Sequence, residues 1–247
     1  MAERQANAAS GGRVQELEAR VKELEEGHAA LIDRMATVVS HEIRNPLAVI
    51  KNSLYFVKTK LQAAGPPDAK VSKHMGFMEA EVDRADGILG EILAYARLPA
   101  PALQPGRVDS MVSDLVDRRT IPGGIKVDLR LSASEARSPM EASQLQKAID
   151  ELLDNAVEAM GTAGTLTIST ACVKGGKVRI EVADTGPGIP AGDADQIFLP
   201  FFTTKPRGVG VGLAMARKIV ERHAGTLDLA AGRGKGAAFV LLLPLAS

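Results

Sequence analysis

A histidine flanked by charged residues is the first candidate for chemistry in this sequence. It lies in the segment Ser40-His41-Glu42-Ile43-Arg44-Asn45-Pro46-Leu47. A neutral imidazole is a competent nucleophile near pH 7, because its unperturbed pKa is about 6.5. Glu42 is near enough in sequence to take a proton from the ring, and Asn45 lies four residues on, on the same face of a helix. The alternative is a histidine that is structural or merely exposed.

An asparagine in the middle of a predicted helix is the second candidate. The segment is Glu151-Leu-Leu-Asp154-Asn155-Ala-Val-Glu158-Ala, in which the leucines and Ala156 supply the buried side. The carbonyl oxygen of Asn155 is a hard ligand of the kind that Mg²⁺ binds. A polar side chain that only hydrogen-bonds to solvent is the alternative.

Two glycine-containing segments follow. In Asp184-Thr185-Gly186-Pro187-Gly188-Ile189, a carboxylate at a strand end can accept a hydrogen bond from an exocyclic amine such as adenine N6. The glycines let the backbone approach a flat ring, although a simple turn is the commoner meaning of Asp-x-Gly. The second segment, Gly208-Val-Gly210-Val-Gly212-Leu213, leads into a helix. Glycine-rich backbone at a helix N-terminus binds anions, but this pattern alone is weak evidence.

The stretch before the second glycine segment is long and irregular. It contains Phe198-Leu-Pro-Phe-Phe-Thr-Thr-Lys205, with three apolar aromatic side chains. This composition fits a lid over a phosphate tail better than it fits a plain linker.

Taken in order, these motifs resemble those of two-component sensor histidine kinases, over about residues 35–245. The H box, asparagine box, first glycine box, phenylalanine box and second glycine box match Ser40–Leu47, Glu151–Ala159, Asp184–Ile189, Phe198–Lys205 and Gly208–Leu213. The tail, from Gly225 to Pro244, follows the closing strands of the family. The resemblance implies a dimerisation and histidine-phosphotransfer hairpin, followed by an α+β Bergerat-type ATP-binding sandwich.

The resemblance also implies a reaction and a set of site residues. His41 attacks ATP, with Glu42 as base, and the phosphoryl group then passes to an aspartate of a separate response regulator. Asn45 assists dephosphorylation of that regulator. Adenine lies on Asp184 and Mg²⁺ near Asn155, while a lid from Ile189 to Val209 closes over the phosphates. The implied nucleotide-binding residues are Asn155, Asp184, Gly186, Gly188, Thr204, Lys205, Gly208, Gly210, Gly212 and Leu213.

Two positions depart from the family pattern. Glu151 stands where the asparagine box usually opens with Asn; in related ATPases a glutamate there acts as base, so it assists proton transfer or only adjusts the magnesium site. Ala237 stands where a threonine often supports the adenine contact. Glu151 keeps open a Bergerat-fold ATPase or serine kinase. A silent dimeric scaffold is a further alternative, which the intact motif residues disfavour.

Helical patterns in the first part of the chain must position His41. We expect a disordered lead-in over 1–12 and a coiled-coil signal helix over 13–38, where apolar residues alternate at spacings of three and four. A phosphotransfer domain is predicted over 35–98, as two helices joined at Gly65-Pro66-Pro67-Asp68. Because two helices alone bury little, we expect a homodimer with a four-helix bundle.

The second part of the chain has a mixed α and β pattern. After a proline-rich linker at 99–108, a catalytic ATP-binding domain is predicted over 109–247. Helices are expected over 110–119, 141–160 and Gly212–His223. Strands are expected over Ile125–Leu131, Thr165–Val173, Lys177–Ala183, 226–230 and 237–243.

Composition narrows the function classes. The 30 basic residues balance the 30 acidic residues, which disfavours a protein that acts mainly on nucleic acid. With one cysteine, Cys172, neither an intramolecular disulfide nor a cysteine-rich zinc site can form. No apolar run approaches the length of a membrane span and the N-terminus has no signal-peptide pattern. We therefore expect a soluble, cytoplasmic protein, with no membrane contact from this chain.

Overall fold

The computed structural model describes residues 42–63, 65, 68–206, 208–230 and 236–246. The chain divides between Leu98 and Pro99 into two compact units. The predicted lead-in, the predicted coiled coil and His41 itself lie outside the described residues.

The first unit is a helical hairpin. Helix α1 covers the described residues 42–63, and α2 spans Ala69–Ala96. Asp68 caps α2, because its carboxylate accepts a hydrogen bond from the backbone N–H of Lys70 at 2.7 Å. Gly65 in the turn has a φ of 124°, which a residue with a side chain rarely adopts. The predicted pair of helices is therefore confirmed.

The two flanks of the hairpin differ in chemistry. Leu54, Met75 and Leu89 are buried. On one side of this seam, three ion pairs join the helices at seven-residue steps along α1: Arg44–Asp86 at 2.8 Å, Lys51–Asp83 at 2.7 Å and Lys58–Glu79 at 2.9 Å. Helical geometry places exposed apolar side chains on the other side, namely Ile43, Ile50 and Val57 of α1 and Val71 and Met78 of α2. We call this second side the apolar flank.

The second unit is built on a five-stranded sheet. Its elements are β1 Gln104–Arg107, α3 Val108–Arg118, β2 Ile125–Ser132, β3 Arg137–Met140, α4 Ala142–Met160, β4 Gly164–Val173, β5 Lys177–Ala183, α5 Gly212–Arg222, β6 Thr226–Leu229 and β7 Ala238–Pro244. The strand order is β2-β4-β5-β7-β6. Among the described strands of this sheet, only β2 and β4 pair in parallel, and α4 lies between them in the chain.

The core lies between one face of the sheet and the helices. Alternate residues of the central strands, such as Leu166, Ile180 and Leu241, are fully buried, as are Ile149 of α4 and Ile219 of α5. The intervening residues of β4 and β5 include hydroxyl and charged side chains that face the other side. The result is a two-layer sandwich with its helices on one face, which confirms the predicted fold class.

A small two-stranded ribbon, separate from the five-stranded sheet, is formed by β1 and β3, and the sequence patterns did not predict it. Strands β1 and β3 pair antiparallel, with Pro105 opposite Pro139. Upstream of β1, the backbone N–H of Ala102 donates to the Glu141 carboxylate at 2.9 Å. The amide of Gln144 also donates to the Pro99 carbonyl at 3.3 Å. The chain therefore enters this unit fixed to the first turn of α4.

No helix in the described part of the chain is long and apolar enough to cross a membrane.

Candidate functional site

One face of α4 carries three polar side chains in line. Glu151, Asn155 and Glu158 are four and three residues apart, so they project from the same side of the helix. Leu152, Leu153 and Ala156 are buried on the opposite side. This burial fixes the rotation of α4 and presents Asn155 away from the core.

Asp184 follows β5 and is 8% exposed. Its Oδ1 accepts hydrogen bonds from the backbone N–H groups of Gly186 at 2.7 Å and Ala237 at 3.3 Å. Its own N–H donates to the Ala237 carbonyl at 2.9 Å. The backbone therefore orients this carboxylate, including at the position where the family threonine is missing. The second oxygen, Oδ2, remains for a ligand amine as far as the described residues go.

Glycines allow the segments around Asp184 to touch. Gly188 has a φ of 81°, and a Cβ built on it would lie 3.0 Å from the Gly236 carbonyl oxygen. A Cβ at Gly236, whose φ is 108°, would overlap the Asp184 carbonyl. Gly186 packs against α4, since its Cβ would lie 3.3 Å from that of Ala159. The segment of Asp184, the residue predicted to bind adenine, is thus held against the helix that carries Asn155.

The second part of the predicted lid, from Phe201 onward, forms a loop that is closed at its base. The N–H of Phe201 donates to the Gly210 carbonyl at 2.8 Å. Gly210 has a φ of 74°, and its Cβ would lie 2.5 Å from the Phe202 carbonyl oxygen, so a side chain there would separate the two ends. Within the loop, Thr203 Oγ1 accepts from the Lys205 N–H at 3.1 Å, and Gly208 lies close to the same hydroxyl. Thr204 is exposed.

Lys205 joins this loop to α4. Its Nζ donates to Asn155 Oδ1 at 2.9 Å and also bonds the Glu158 carboxylate. Asn155 Oδ1 thus accepts a hydrogen bond from a positively charged group. This position suits an oxygen that could also act as a ligand of Mg²⁺. The described residues contain no cluster of three or more His, Cys, Asp or Glu that could hold a metal by themselves. A magnesium ion here would need further oxygens from phosphate and water.

The second glycine segment meets Glu151 at the start of α5. Gly212 is the first residue of α5, and its Cβ would lie 2.5 Å from Glu151 Oε2. Val211 precedes the helix and makes no side-chain capping hydrogen bond, and a helix N-terminus of this kind favours an anion. Leu213 follows at the same end of the helix and is half-buried.

A cation anchors the phenylalanine segment, and sequence reasoning missed it. The Arg217 guanidinium lies 3.7 Å from the centre of the Phe198 ring and donates to the Leu227 carbonyl at 2.9 Å. Phe198 also meets Phe239 edge-on, with ring centres 6.1 Å apart. These contacts fix the first part of the predicted lid, around Phe198, to α5 and to the sheet. No motif in the sequence signals Arg217.

Arg119 is a second residue that the sequence patterns missed. It follows α3 and bonds two carboxylates one turn apart on α4, Asp150 at 2.8 Å and Asp154. Burial raises the pKa of Asp150, while the positive charge of Arg119 opposes that rise. The clamp fixes α4 next to Asn155.

A cavity of about 980 Å³ opens beside Asp184. Its lining includes Gly188, Ile189, Phe198 and Ala237, and it continues along the polar face of the sheet past Thr167. Asn155, Lys205 and the second glycine segment are not part of its lining. The cavity therefore lies on the Asp184 side of the site.

Glu42 and Asn45 lie on α1, and both are exposed. Their relation to His41 stays a prediction, because His41 is outside the described residues.

Two family models match this chain. The His Kinase A (phospho-acceptor) domain matches residues 31–101, and the histidine kinase-, DNA gyrase B- and HSP90-like ATPase domain matches residues 140–247. The chain belongs to the two-component sensor histidine kinase family. The order of its domains, helical hairpin first and ATPase sandwich second, is that of these histidine kinases.

Individual relatives agree with this assignment. Sensor histidine kinase ZraS of Escherichia coli (strain K12) is 33% identical over 217 residues, covering 87% of this chain and 46% of that protein. Sporulation kinase C of Bacillus subtilis (strain 168) is 30% identical over 222 residues, covering 88% of this chain and 50% of that protein. The chain thus spans about half the length of the histidine kinases that it matches.

Solved histidine kinases share the fold. Full-length ShkA, crystallised with AMPPNP, gives a TM-score of 0.69 at 24% identity, covering 87% of this chain and 46% of that one. ThkA, crystallised with the response regulator protein TrrA, gives a TM-score of 0.61 at 24% identity. The match covers 86% of this chain and 61% of that one.

Proposed function

We propose that this chain is an ATP-dependent protein-histidine kinase that phosphorylates His41 and passes the phosphoryl group to an aspartate of a separate response regulator. The observation that carries the proposal is the Lys205–Asn155 contact beside the second glycine segment. It brings a lid cation, a metal-type ligand and a helix N-terminus to one end of α4. His41 lies within the segment that matches the phospho-acceptor model.

The nucleotide occupies the second unit. The adenine amine donates to Asp184 Oδ2, while Gly186 and Gly188 let the backbone lie against the ring. The phosphates meet Gly208, Gly210 and Gly212 at the start of α5, with Thr204 and Leu213 beside them. AMPPNP in the ShkA crystal supports an ATP-type ligand for this fold. Bound Mg²⁺ would be held by Asn155 and would neutralise phosphate charge.

The hairpin supplies the acceptor. A ring nitrogen of His41 attacks the γ-phosphorus, the bond to ADP breaks, and Glu42 takes the imidazole proton. Lys205 neutralises charge on the γ-phosphate once the nucleotide is bound, and Glu151 adjusts the phosphate end of the site from its place beside Gly212. Asn45, exposed on α1, positions the water that removes phosphate from the regulator.

Two copies of the chain form the working unit. The apolar flank of the hairpin has the spacing of a helix-bundle seam, and covering it with a second hairpin gives four helices. We propose residues 35–98 as the phosphotransfer domain and 109–247 as the catalytic domain. The ThkA–TrrA crystal supports a response regulator as the second partner. The phospho-acceptor match disfavours a plain ATPase, a serine kinase or a silent scaffold.

Incubation with γ-labelled ATP tests the function. The chain is expected to take up label that is labile to acid and stable to base. His41→Gln should abolish the label and leave nucleotide binding near that of the unsubstituted chain. His74→Gln, at a histidine that is exposed on α2, should keep it. Label that persists in His41→Gln would refute the assignment, and a base-labile phosphoryl bond would favour a serine kinase.

Asn45→Ala separates the two reactions of the hairpin. It should keep most of the autokinase activity and lose phosphatase activity toward the phosphorylated regulator. If the role of Asn45 is only to form hydrogen bonds with backbone groups near Pro46, both activities and the melting temperature should fall together.

A further inference from the structure

One contact at the candidate site joins the loop to α4, the two elements that are proposed to meet the nucleotide phosphates. Lys205 belongs to the loop that starts at Phe201, whereas Asn155 and Glu158 belong to α4. The lysine ammonium bonds both α4 side chains at once, at 2.9 Å in the case of Asn155 Oδ1. Glu158 and Lys205 are 61% and 42% exposed at the side chain, so solvent reaches the pair and these two bonds are the polar contacts recorded for the ammonium among the described residues.

The ammonium and a magnesium ion compete for the same oxygen. Magnesium takes its ligands at about 2.1 Å in strict octahedral geometry. Asn155 Oδ1 is a poorer ligand for that ion while the lysine ammonium lies within hydrogen-bond distance, because the two cations would repel one another across a few ångströms. Metal binding at Asn155 and the Lys205 contact therefore oppose one another.

We propose that Glu158 is a lid-positioning residue, which holds Lys205 as a resident cation on Asn155 and so sets how much Mg²⁺ the nucleotide needs in order to bind. This inference rests on the proposed nucleotide site. When Mg²⁺ arrives with the nucleotide, Lys205 leaves Asn155 and the loop is released from α4. Glu158 keeps the lysine from leaving sooner.

A direct role of Glu158 in binding the metal predicts the opposite result. If its carboxylate ligated or attracted Mg²⁺, removing its charge would weaken metal binding whether or not Lys205 were present. If Glu158 acts through Lys205, removing its charge strengthens apparent metal binding, and the effect disappears once the lysine is removed. The sign and the dependence on Lys205 therefore distinguish the two roles.

ADP binding provides the first test. ADP is chosen because it lacks the γ-phosphate that Lys205 is proposed to meet. Calorimetric titrations of the full chain with ADP are carried out over a range of Mg²⁺ concentrations. They give the Mg²⁺ concentration at which half of the gain in ADP affinity is reached. Glu158→Gln and Lys205→Met should each lower it about two- to fivefold, the range expected for an exposed ion pair. Glu158→Gln added to Lys205→Met should change it no further.

Glu135→Gln is the matched control. Glu135 is also an exposed glutamate in an ion pair, with Arg107 at 3.2 Å, and its substitution should leave the Mg²⁺ dependence unchanged. A higher Mg²⁺ requirement in Glu158→Gln, or no change, would overturn the inference while the proposed function stands. If the unsubstituted chain bound no ADP, the proposed nucleotide site and this inference would fail together.

Amide hydrogen exchange tests the same contact without nucleotide or metal. Glu158→Gln and Lys205→Met should each speed exchange in the loop segment 201–206 about two- to fivefold, because the loop loses its tie to α4. Exchange in β5 should stay constant, which excludes a general loss of folding. If exchange in the loop were unchanged in both variants, the proposed role of Glu158 and Lys205 in holding the loop on α4 would be overturned.

Discussion

The hairpin and the ATPase sandwich bury their apolar side chains to different extents. In the hairpin, the five residues of the apolar flank are 41–47% exposed. In the sandwich, Leu145, Ile149 and Leu152 of α4 are completely buried. The sandwich therefore has a fully buried core of its own, whereas the apolar flank leaves the hairpin with a surface that a further element could cover. We therefore expect the stability of the sandwich not to depend on chain concentration, and the stability of the hairpin to depend on it.

The polar residues of the two regions differ in the same way. Asp184, Asn155 and Lys205 are each held by hydrogen bonds within the sandwich. Glu42 and Asn45 are exposed on α1. The proposed nucleotide site is thus held by internal hydrogen bonds, while the residues proposed to act beside the phosphate acceptor are exposed on a surface.

The largest expected effect concerns the apolar flank. Ile50→Glu would place an uncompensated charge at the proposed dimer interface in both copies. It would also remove two isoleucine side chains from burial, worth about 3–6 kcal/mol together. The dimer should dissociate at least a hundredfold more readily, as measured by sedimentation over a range of concentrations. Val49→Glu, on another side of α1 and 64% exposed, is the control. Equal effects of both variants would rule out this flank as the interface.

The next effect concerns the core of the sandwich. Leu152→Ala leaves a cavity beneath α4 and should lower the free energy of unfolding by about 2–5 kcal/mol. Hydrogen exchange of β5 amides in increasing urea measures this loss. It should be independent of chain concentration, in contrast to the loss in Ile50→Glu. Leu199→Ala, at an exposed position, should cost little. A concentration-dependent loss in Leu152→Ala would contradict the independence of the sandwich.

Asp184→Asn should weaken nucleotide binding without unfolding either region. Replacing one charge-assisted hydrogen bond costs about 1.5–3 kcal/mol, or tenfold or more in affinity. Calorimetric titration with ADP measures the loss, and Asp117→Asn on α3 serves as the control. Dimerisation should be unchanged. An unaltered affinity would refute the adenine role of Asp184.

The smallest effect concerns the polar flank of the hairpin. Glu79→Gln breaks the ion pair with Lys58, and a partly exposed pair contributes only about 0.2–1 kcal/mol. The melting temperature should fall slightly, and the difference should shrink in high salt. Glu91→Gln, elsewhere on α2, is the control. If Glu79→Gln lowered the melting temperature as much as Ile50→Glu does, charge rather than apolar contact would be what stabilises the hairpin.

Long elements with a clear period could be predicted closely from the sequence. Strand β5 occupies the predicted Lys177–Ala183, and α4 begins and ends within one residue of the predicted 141–160. In both, apolar spacing alone determines which face is buried. The ribbon of β1 and β3 escaped prediction because prolines and a glycine mark turns, and Pro105 opposite Pro139 forms a strand pair without the usual donors.

The site could be predicted only where a local motif marks it. Asp184 and Asn155 stand in such motifs, and the structure places them beside Ala237 and Lys205 respectively, while their roles in nucleotide binding stay predictions. Arg119 and Arg217 act across the fold, on α4 and on Phe198, so no local spacing reveals them. The Ala237 N–H that orients Asp184 is likewise invisible, because a backbone group has no residue type.

The outer edge of the sheet has a consequence for how the chain behaves in crowded solution. Strand β2 is an edge strand of eight residues, long enough to pair with a strand of another molecule. Its sequence alternates charges at Lys126, Asp128 and Arg130, and the last two are joined at 2.5 Å. An incoming strand would have to lie against this charged row and strip water from it. The edge therefore resists the strand-to-strand growth that leads to aggregates.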